Sequence, residues 1–387
     1  MAAEEILLVT NYFPPEKGAA SNRLYSLAKG MEKAGFKVQV VCPMPNYPTG
    51  SIFKNYKGSF YKNEKDNTIT IHRLWLWASN SSNKFLRLLS MISFSLSLTL
   101  FFFLKKKPTK IFIQYSPVFV GFTAVFWSWI FGKKRILNVS DLWPLAGLEM
   151  GVLKKGVYYS LLEKMERFCY QKSNLLIGQS QEIITHAEKH SETPTFLYRN
   201  IPDFSPPEPS DEQLKKTITL VYAGLLGVAQ GIFTICNTIN LPDHITFHIF
   251  GAGPEAEAIS KLEKKNIIYH GEVDRLDLHS KMLTFDIAFI PLTNRIYGSV
   301  PSKIFEYTRL GLPVLYFAGG EGGNLVEKKQ LGWNIPASDF KQLQSFISNL
   351  TKEHLLEFPK KKVQERSLKA FNFEKQFEAF IKQIESV

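Results

Sequence analysis

The 387-residue chain alternates short apolar runs with stretches in which apolar residues recur every three or four positions. Runs of four to eight aliphatic or aromatic residues predict strands, and the 3.6-residue period predicts helices. Residues 6–10 form the first run. A helical stretch over 21–34 follows, with Leu24, Leu27, Ala28 and Met31 on one face. Residues 36–42, 69–76, 111–115, 135–139 and 175–177 continue the series. At 200–217 the pattern breaks into Pro206-Pro207-Glu208-Pro209 and charged residues, the composition of a linker. It then restarts with 218–223, 245–250, 267–269, 287–291 and 314–317. Strands alternating with helices predict an α/β fold of parallel sheets. A restart after a linker predicts two Rossmann-like domains facing across a cleft. The expected division is 1–199, a linker at 200–217, a second domain over 218–360, and a C-terminal helix over 361–387. In that last segment Phe373, Phe377, Phe380, Ile381 and Ile384 share one helix face, which is expected to cross back and pack on the first domain.

Two longer apolar stretches interrupt the first half. Residues 88–104 carry no charge, with Arg87 before them and Lys105-Lys106-Lys107 after; 117–131 is also uncharged and precedes Lys133-Lys134-Arg135. The first stretch sits at the lower length limit for a membrane span and includes Ser90, Ser93, Ser95, Ser97 and Thr99. It reads as a helix that is buried or lies in a bilayer interface rather than one that crosses.

Charge sharpens that picture. Residues 1–205 hold 26 Lys and Arg against 14 Asp and Glu, whereas 206–387 hold 21 of each, so the whole net charge of +12 belongs to the first half. One half is therefore expected to face something anionic. Basic clusters flanking apolar helices suit lipid headgroups better than nucleic acid, for which no module signature appears. Cys42, Cys169 and Cys236 are dispersed and form no CxxC pair, which argues for a reducing compartment and against a zinc site. No basic n-region precedes the first strand, so no signal peptide is expected.

Candidate chemistry gathers at strand ends, where open α/β sheets bind ligands. Pro301-Ser302-Lys303-Ile304-Phe305-Glu306-Tyr307 places an ammonium and a carboxylate on one face at a helix start. Lys303 could meet a diphosphate, helped by the helix N–H groups, and Glu306 could accept bonds from ribose hydroxyls. The same residues would also make an ordinary Pro-capped amphipathic helix with a solvent-facing Lys–Glu pair. Gly18, in the loop after the first strand, could let backbone approach a phosphate or simply turn the chain. Asn46 and Tyr47, exposed on the rigid Pro45–Pro48 loop, could shape an acceptor site or belong to a plain proline-rich loop. Asp141 in Ser140-Asp141-Leu142-Trp143-Pro144 could act as a base or cap a helix. Gly251-Ala252-Gly253-Pro254-Glu255 is weak as a dinucleotide fingerprint but acceptable as a glycine turn near phosphate. His270-Gly271-Glu272 could offer contacts to a nucleobase. No DxD, HExxH, GxSxG or P-loop occurs, which disfavours metal-assisted hydrolysis and kinase chemistry.

In this order Tyr12-Phe13-Pro14-Pro15-Glu16 with Gly18 and Arg23, Pro45-Asn46-Tyr47-Pro48, Ser116-Pro117, Asp141-Leu142-Trp143-Pro144, 200–203, Tyr222-Ala223-Gly224, Gln230-Gly231, Gly251-Ala252-Gly253-Pro254-Glu255 and 301–307 span nearly the whole chain. Together they resemble the family 4 glycosyltransferases of the GT-B fold, and most closely the L-fucosamine-transferase-like branch of bacterial surface polysaccharide synthesis. The resemblance implies retaining transfer of a sugar, amino sugars included, from a nucleoside-diphosphate sugar. It favours UDP as the carrier and a lipid-linked or polysaccharide acceptor, with neither a metal nor a cofactor. It makes Lys303 a catalytic candidate as the diphosphate ligand; Asp141 stays a catalytic candidate on its place at a strand end, although in this chemistry the leaving phosphate can itself take the acceptor's proton. Gly18, Gly224, Gly251, Glu272, Ser302, Lys303 and Glu306 would bind the donor, and Arg23, Asn46 and Tyr47 the acceptor. The enzyme would lie in the cytoplasm, peripheral on the inner face of the plasma membrane. Three departures stand out: Gly298 where relatives have a second Glu, uncharged Leu225, Leu226 and Gln230 where many hold diphosphate with Arg and Lys, and Ser140-Asp141 where many have His. The missing cations and Gly298 motivate one alternative, a catalytically silent nucleotide-sugar-binding subunit; a GT-B sugar-nucleotide epimerase is another, which would not need the basic, apolar first half.

Overall fold

Aliphatic runs without polar alternation can only be satisfied by burial on both faces, the condition of central strands in a parallel sheet covered by helices. The computed structural model of the chain, which describes residues 4–81, 83–209 and 217–387, has two such sheets among those residues. They lie in separate units, Met1–Arg199 with Phe377–Val387, and Asn200–Gln376. The α/β class with two parallel-sheet domains is as expected.

The first unit contains β1 (Glu5–Val9), β2 (Lys37–Pro43), β3 (Tyr61–Asp66), β4 (Ile69–Leu74), β5 (Lys110–Gln114), β6 (Lys134–Val139), β7 (Leu175–Gly178) and β8 (Thr195–Leu197). Their order is β3-β4-β2-β1-β5-β6-β7-β8, and only β3 runs antiparallel to its neighbour. The sequence Tyr-Lys-Asn-Glu-Lys-Asp of β3 carries no apolar pattern, because an edge strand has one neighbour and little to bury. The second unit contains β9 (Ile218–Ala223), β10 (Ile245–Phe250), β11 (Ile267–Gly271), β12 (Ile287–Pro291), β13 (Val314–Ala318) and β14 (Gly332–Pro336), in the order β11-β10-β9-β12-β13-β14 and all parallel. In each sheet the strand order reverses beside the first strand, β1 or β9. That reversal opens a crevice at the strands' carboxyl ends.

Two helices follow β14 near the C-terminus. Lys360–Ala370 packs in the second unit, where Val363 and Phe371 join its core. The next, Phe373–Ser386, enters the first unit at Phe377 and buries Phe380 and Ile384 beside Ile6, Leu8 and Phe112. The chain therefore returns to the first unit at 377 rather than 361. Lys110 Nζ donates to the carbonyls of Ile384 and Glu385 at 2.8 and 2.9 Å, satisfying the orphan acceptors at that helix's end. Of the expected linker, residues 210–216 lie outside the described residues, while Ile201 and Pro209 pack within the second unit.

The longer apolar stretch of the first unit is the helix Lys84–Leu104, capped by Asn83, whose side chain accepts from the Phe85 amide at 2.9 Å. Its segment Phe85–Leu104 is long and apolar enough to cross a membrane by length and composition. Phe94, Leu98, Phe101 and Phe102 are buried, and Trp127 Nε1 of the helix Val118–Ile130 donates to Thr99 Oγ1 at 2.9 Å. The opposite face leaves Phe85, Leu96, Leu100, Phe103 and Leu104 exposed. One face thus belongs to the core and the other to solvent.

Candidate active site

In the second unit β9, β10 and β11 each run into a glycine at the carboxyl end. Gly224 follows β9, Gly251 follows β10, and Gly271 closes β11. The Gly224 amide donates to the Phe250 carbonyl at 3.0 Å and the Gly251 amide to the Gly271 carbonyl at 2.8 Å, so the three sit side by side. Gly224 and Gly251 have φ of 149° and 137°, which side chains rarely adopt. A Cβ on Gly251 would lie 1.8 Å from the Gly224 carbonyl oxygen, and one on Gly224 only 2.0 Å from Lys303 Nζ. The missing side chains leave the space that the lysine occupies.

Lys303 opens the helix Lys303–Arg309, which Tyr307 ties to the end of β9 by donating to the Ala223 carbonyl at 2.7 Å. Its Nζ stands 4.2 Å from the centroid of the buried Tyr222 ring, a cation–π contact. Water displaced by the surrounding protein pushes the ammonium down to about 8, against the opposing pull of Glu306. The pair is therefore not the solvent-facing one an ordinary surface helix would show. Glu306, one turn on, is 16% exposed, and its Oε1 lies 2.8 Å from His279 Nε2. Ser302 precedes the helix without a side-chain capping bond. Glu272 is exposed one residue beyond β11, two strands away from Gly224.

The first unit gathers a second polar group in the loops after β1, β2, β5 and β6. Asn138 Nδ2 donates to Gln114 Oε1 at 2.6 Å, Gln114 Nε2 to Ser140 Oγ at 2.8 Å, and an Arg23 guanidinium nitrogen to the same hydroxyl at 3.0 Å. Buried Gln114 and Asn138 thereby orient a half-buried Arg23. Asp141 is accessible beside it. Protein crowding raises its carboxyl above the usual range while Arg23 lowers it.

Glu16, absent from the expected site set, joins two of these loops. It is 3% exposed, and its Oε1 accepts the amides of Asn46 and Tyr47 at 2.7 and 2.9 Å. Burial raises its carboxyl, and the two amides and Arg73 lower it. Arg73 in turn donates to the Pro14 carbonyl and, at 2.6 Å, to Glu64. The signals in the sequence were an acid following two prolines at a strand end and its place in one of the segments that carry the family resemblance. Tyr47 is exposed and meets Tyr12 edge-on at 5.7 Å, but Asn46 is half-buried and turns its amide onto the Met44 carbonyl at 3.0 Å. Asn46 is therefore not the exposed group the sequence suggested. Gly18 is extended, and a Cβ there would meet Tyr47 at an ordinary 3.5 Å, so packing within this unit does not require glycine. The candidate donor residues are divided: Gly18 lies in the first unit, the remainder in the second. Among the described residues no group of three or more His, Cys, Asp or Glu converges as a metal site would require.

Residues 218–353 match the family model described as Glycosyl transferases group 1. No curated protein matches the chain. Among solved structures, sucrose-phosphate synthase from Thermosynechococcus elongatus aligns with a TM-score of 0.75 at 14% identity, covering 99% of this chain and 98% of that one. HepE from Anabaena, in complex with UDP and glucose, gives 0.69 at 13% identity over 99% and 100%. WaaG, a glycosyltransferase involved in lipopolysaccharide biosynthesis, gives 0.63 at 13% identity over 99% of both chains. At these identities the likeness is one of fold, and the fold is GT-B.

Proposed function

We propose that this chain, whose second unit carries a group 1 glycosyltransferase domain on a GT-B fold, transfers a sugar from a UDP-sugar to a lipid-linked acceptor in bacterial surface glycan synthesis. The observation that carries the reading is the half-buried Lys303, held over Tyr222 above the Gly224–Gly251 shelf, with Glu306 one turn further along. A cation set against backbone at the ends of β9 and β10 suits a diphosphate, and a carboxylate at helical spacing suits ribose. The UDP complex of HepE supports the choice of nucleotide.

In this reading the bond between the anomeric carbon and the diphosphate oxygen breaks, and an acceptor oxygen bonds to the same face of that carbon. The acceptor's proton passes to the departing phosphate oxygen, so retention needs neither a metal nor an obligatory protein base. Lys303 stabilises the charge that develops on the leaving group, the main electrostatic task of such a site. Asp141 and Arg23, with Tyr47, line the acceptor side in the first unit. The uncharged Leu225, Leu226 and Gln230, with Gly298, favour a second reading, a nucleotide-sugar-binding subunit without turnover.

The test is binding and hydrolysis of UDP-, GDP- and dTDP-sugars by wild type and Glu306→Ala. One nucleotide class is expected to bind selectively, with affinity falling about tenfold or more in the variant, as for lost bonds to a charged acceptor. No binding to any of them sinks the transferase reading, and binding without turnover across several acceptors selects the second one.

We further propose that the exposed apolar face of Lys84–Leu104 and the lysines after it seat the protein on the anionic cytoplasmic face of the plasma membrane. Exposed Trp129 and Ile130 of the neighbouring helix extend that face, and exposed Lys105 and Lys106 flank it. Co-sedimentation with phosphatidylglycerol vesicles is expected to weaken several-fold between low salt and about 0.5 M, as screening shortens the reach of the lysines. Salt-independent sedimentation would remove the electrostatic part of this proposal.

A further inference from the structure

A carboxylate that must receive a sugar hydroxyl works best when its direction is set before the ligand arrives, because a free Glu side chain samples many rotamers. Glu306 is restrained in that way by a residue far from it in sequence. His279 Nε2 lies 2.8 Å from Glu306 Oε1, and both side chains are 16% exposed. The acceptor is a carboxylate, so Nε2 carries the proton of this bond. The His279 ring is held in turn by Phe204, 4.8 Å away between centroids with 37° between planes. Phe204 is held in addition by buried Arg309, whose guanidinium carbon stands 5.3 Å from the ring centroid and whose Nη2 donates to the Phe204 carbonyl at 2.7 Å. Arg309 belongs to the same helix as Glu306. The contacts therefore form a closed circuit, from Glu306 through His279 and Phe204 to Arg309 and back.

We propose that His279 is a positioning residue of the donor site: its bond to Glu306, braced by Phe204, aims the carboxylate at the ribose hydroxyls. A carboxylate has about four lone-pair directions, so accepting from His279 leaves capacity for hydroxyl donors. The neutral Nε2–H tautomer suffices. The proposal rests on the reading of Glu306 as the ribose ligand.

The deciding measurement is the affinity of UDP relative to 2′,3′-dideoxy-UDP, because a positioning role acts on the hydroxyls alone. Wild type is expected to prefer UDP, and His279→Ala to lose most of that preference, about tenfold in UDP affinity, with little change for the dideoxy nucleotide. His279→Gln, which can place an N–H near the same carboxylate, is expected to recover part of the preference and covers the case in which the alanine variant folds poorly. In Glu306→Ala the preference should be absent, and adding His279→Ala should cost nothing more for either nucleotide. Equal weakening of both nucleotides by His279→Ala would make the histidine merely structural and overturn the proposal. A Glu306-dependent preference unchanged in His279→Ala and His279→Gln would overturn it while leaving the donor-site reading intact. Wild type binding neither nucleotide would overturn both.

Discussion

Lys303→Ala is expected to lower turnover on the order of 10²-fold or more, by comparison with the loss of a single oxyanion donor elsewhere. The large effect follows from the local chemistry: Leu225, Leu226 and Gln230, in the segment that follows Gly224, supply no positive charge that could replace the ammonium. Donor affinity should fall less than turnover, since charge on the leaving group grows as the sugar departs. The lowered basicity of Lys303 adds a pH signature. A lysine is cationic below its pKa, and here the pKa is pushed down to about 8, so kcat/KM should decline as pH rises through about 8. Bound diphosphate favours the ammonium and moves the corresponding decline in kcat to higher pH. Lys303→Arg should shift this alkaline limb out of range, since guanidinium keeps its proton. Turnover of Lys303→Ala within threefold of wild type would end its assignment as the group that stabilises the leaving phosphate.

Gly251→Ala should be the most disruptive single methyl. Its Cβ would lie 1.8 Å from the Gly224 carbonyl oxygen, a backbone atom that cannot swing aside, at a φ of 137°. We expect a loss on the order of 3 kcal/mol in denaturant unfolding, together with loss of nucleotide binding. Gly224→Ala makes the informative contrast. There the new Cβ meets the flexible end of Lys303, so the side chain can move away at smaller cost to folding. Gly224→Ala should therefore weaken donor binding more than stability, showing that the glycine serves the lysine's position. If Gly251→Ala unfolds at the same denaturant concentration as wild type, the shelf is not as close-packed as described.

The strands that carry the candidate site could be read in the sequence because they are central: β9, β10, β12 and β13 lie between other strands and are rich in apolar residues. Of the edges, β11 was read at 267–269, but the other three could not be read so directly. β3 is polar, β8 has three residues, and β14 starts on glycine and ends on proline. Lys303 and Glu306 were visible because helical spacing alone puts them on one face. His279 was not, because its meeting with Glu306 depends on how the helix Arg275–Met282 packs beside Lys303–Arg309. Glu16 escaped for the same reason, its partners being amides thirty and thirty-one positions away. Asn46 shows the opposite failure: a proline-flanked polar residue reads as exposed, yet a local bond to the Met44 carbonyl turns its side chain inward.

The helix entering the first unit at Phe377 bears on how the protein is made. Phe380 and Ile384 complete a core that also contains β1, which leaves the ribosome long before them. The entire second unit must be translated between these two parts. Until then the seat of Phe380 beside Phe112 stands open to water, and the Lys110 ammonium lacks the two carbonyls it will bind. A unit begun before the second is thus completed only after it, and during that interval its uncovered apolar face is where a nascent-chain chaperone would find purchase.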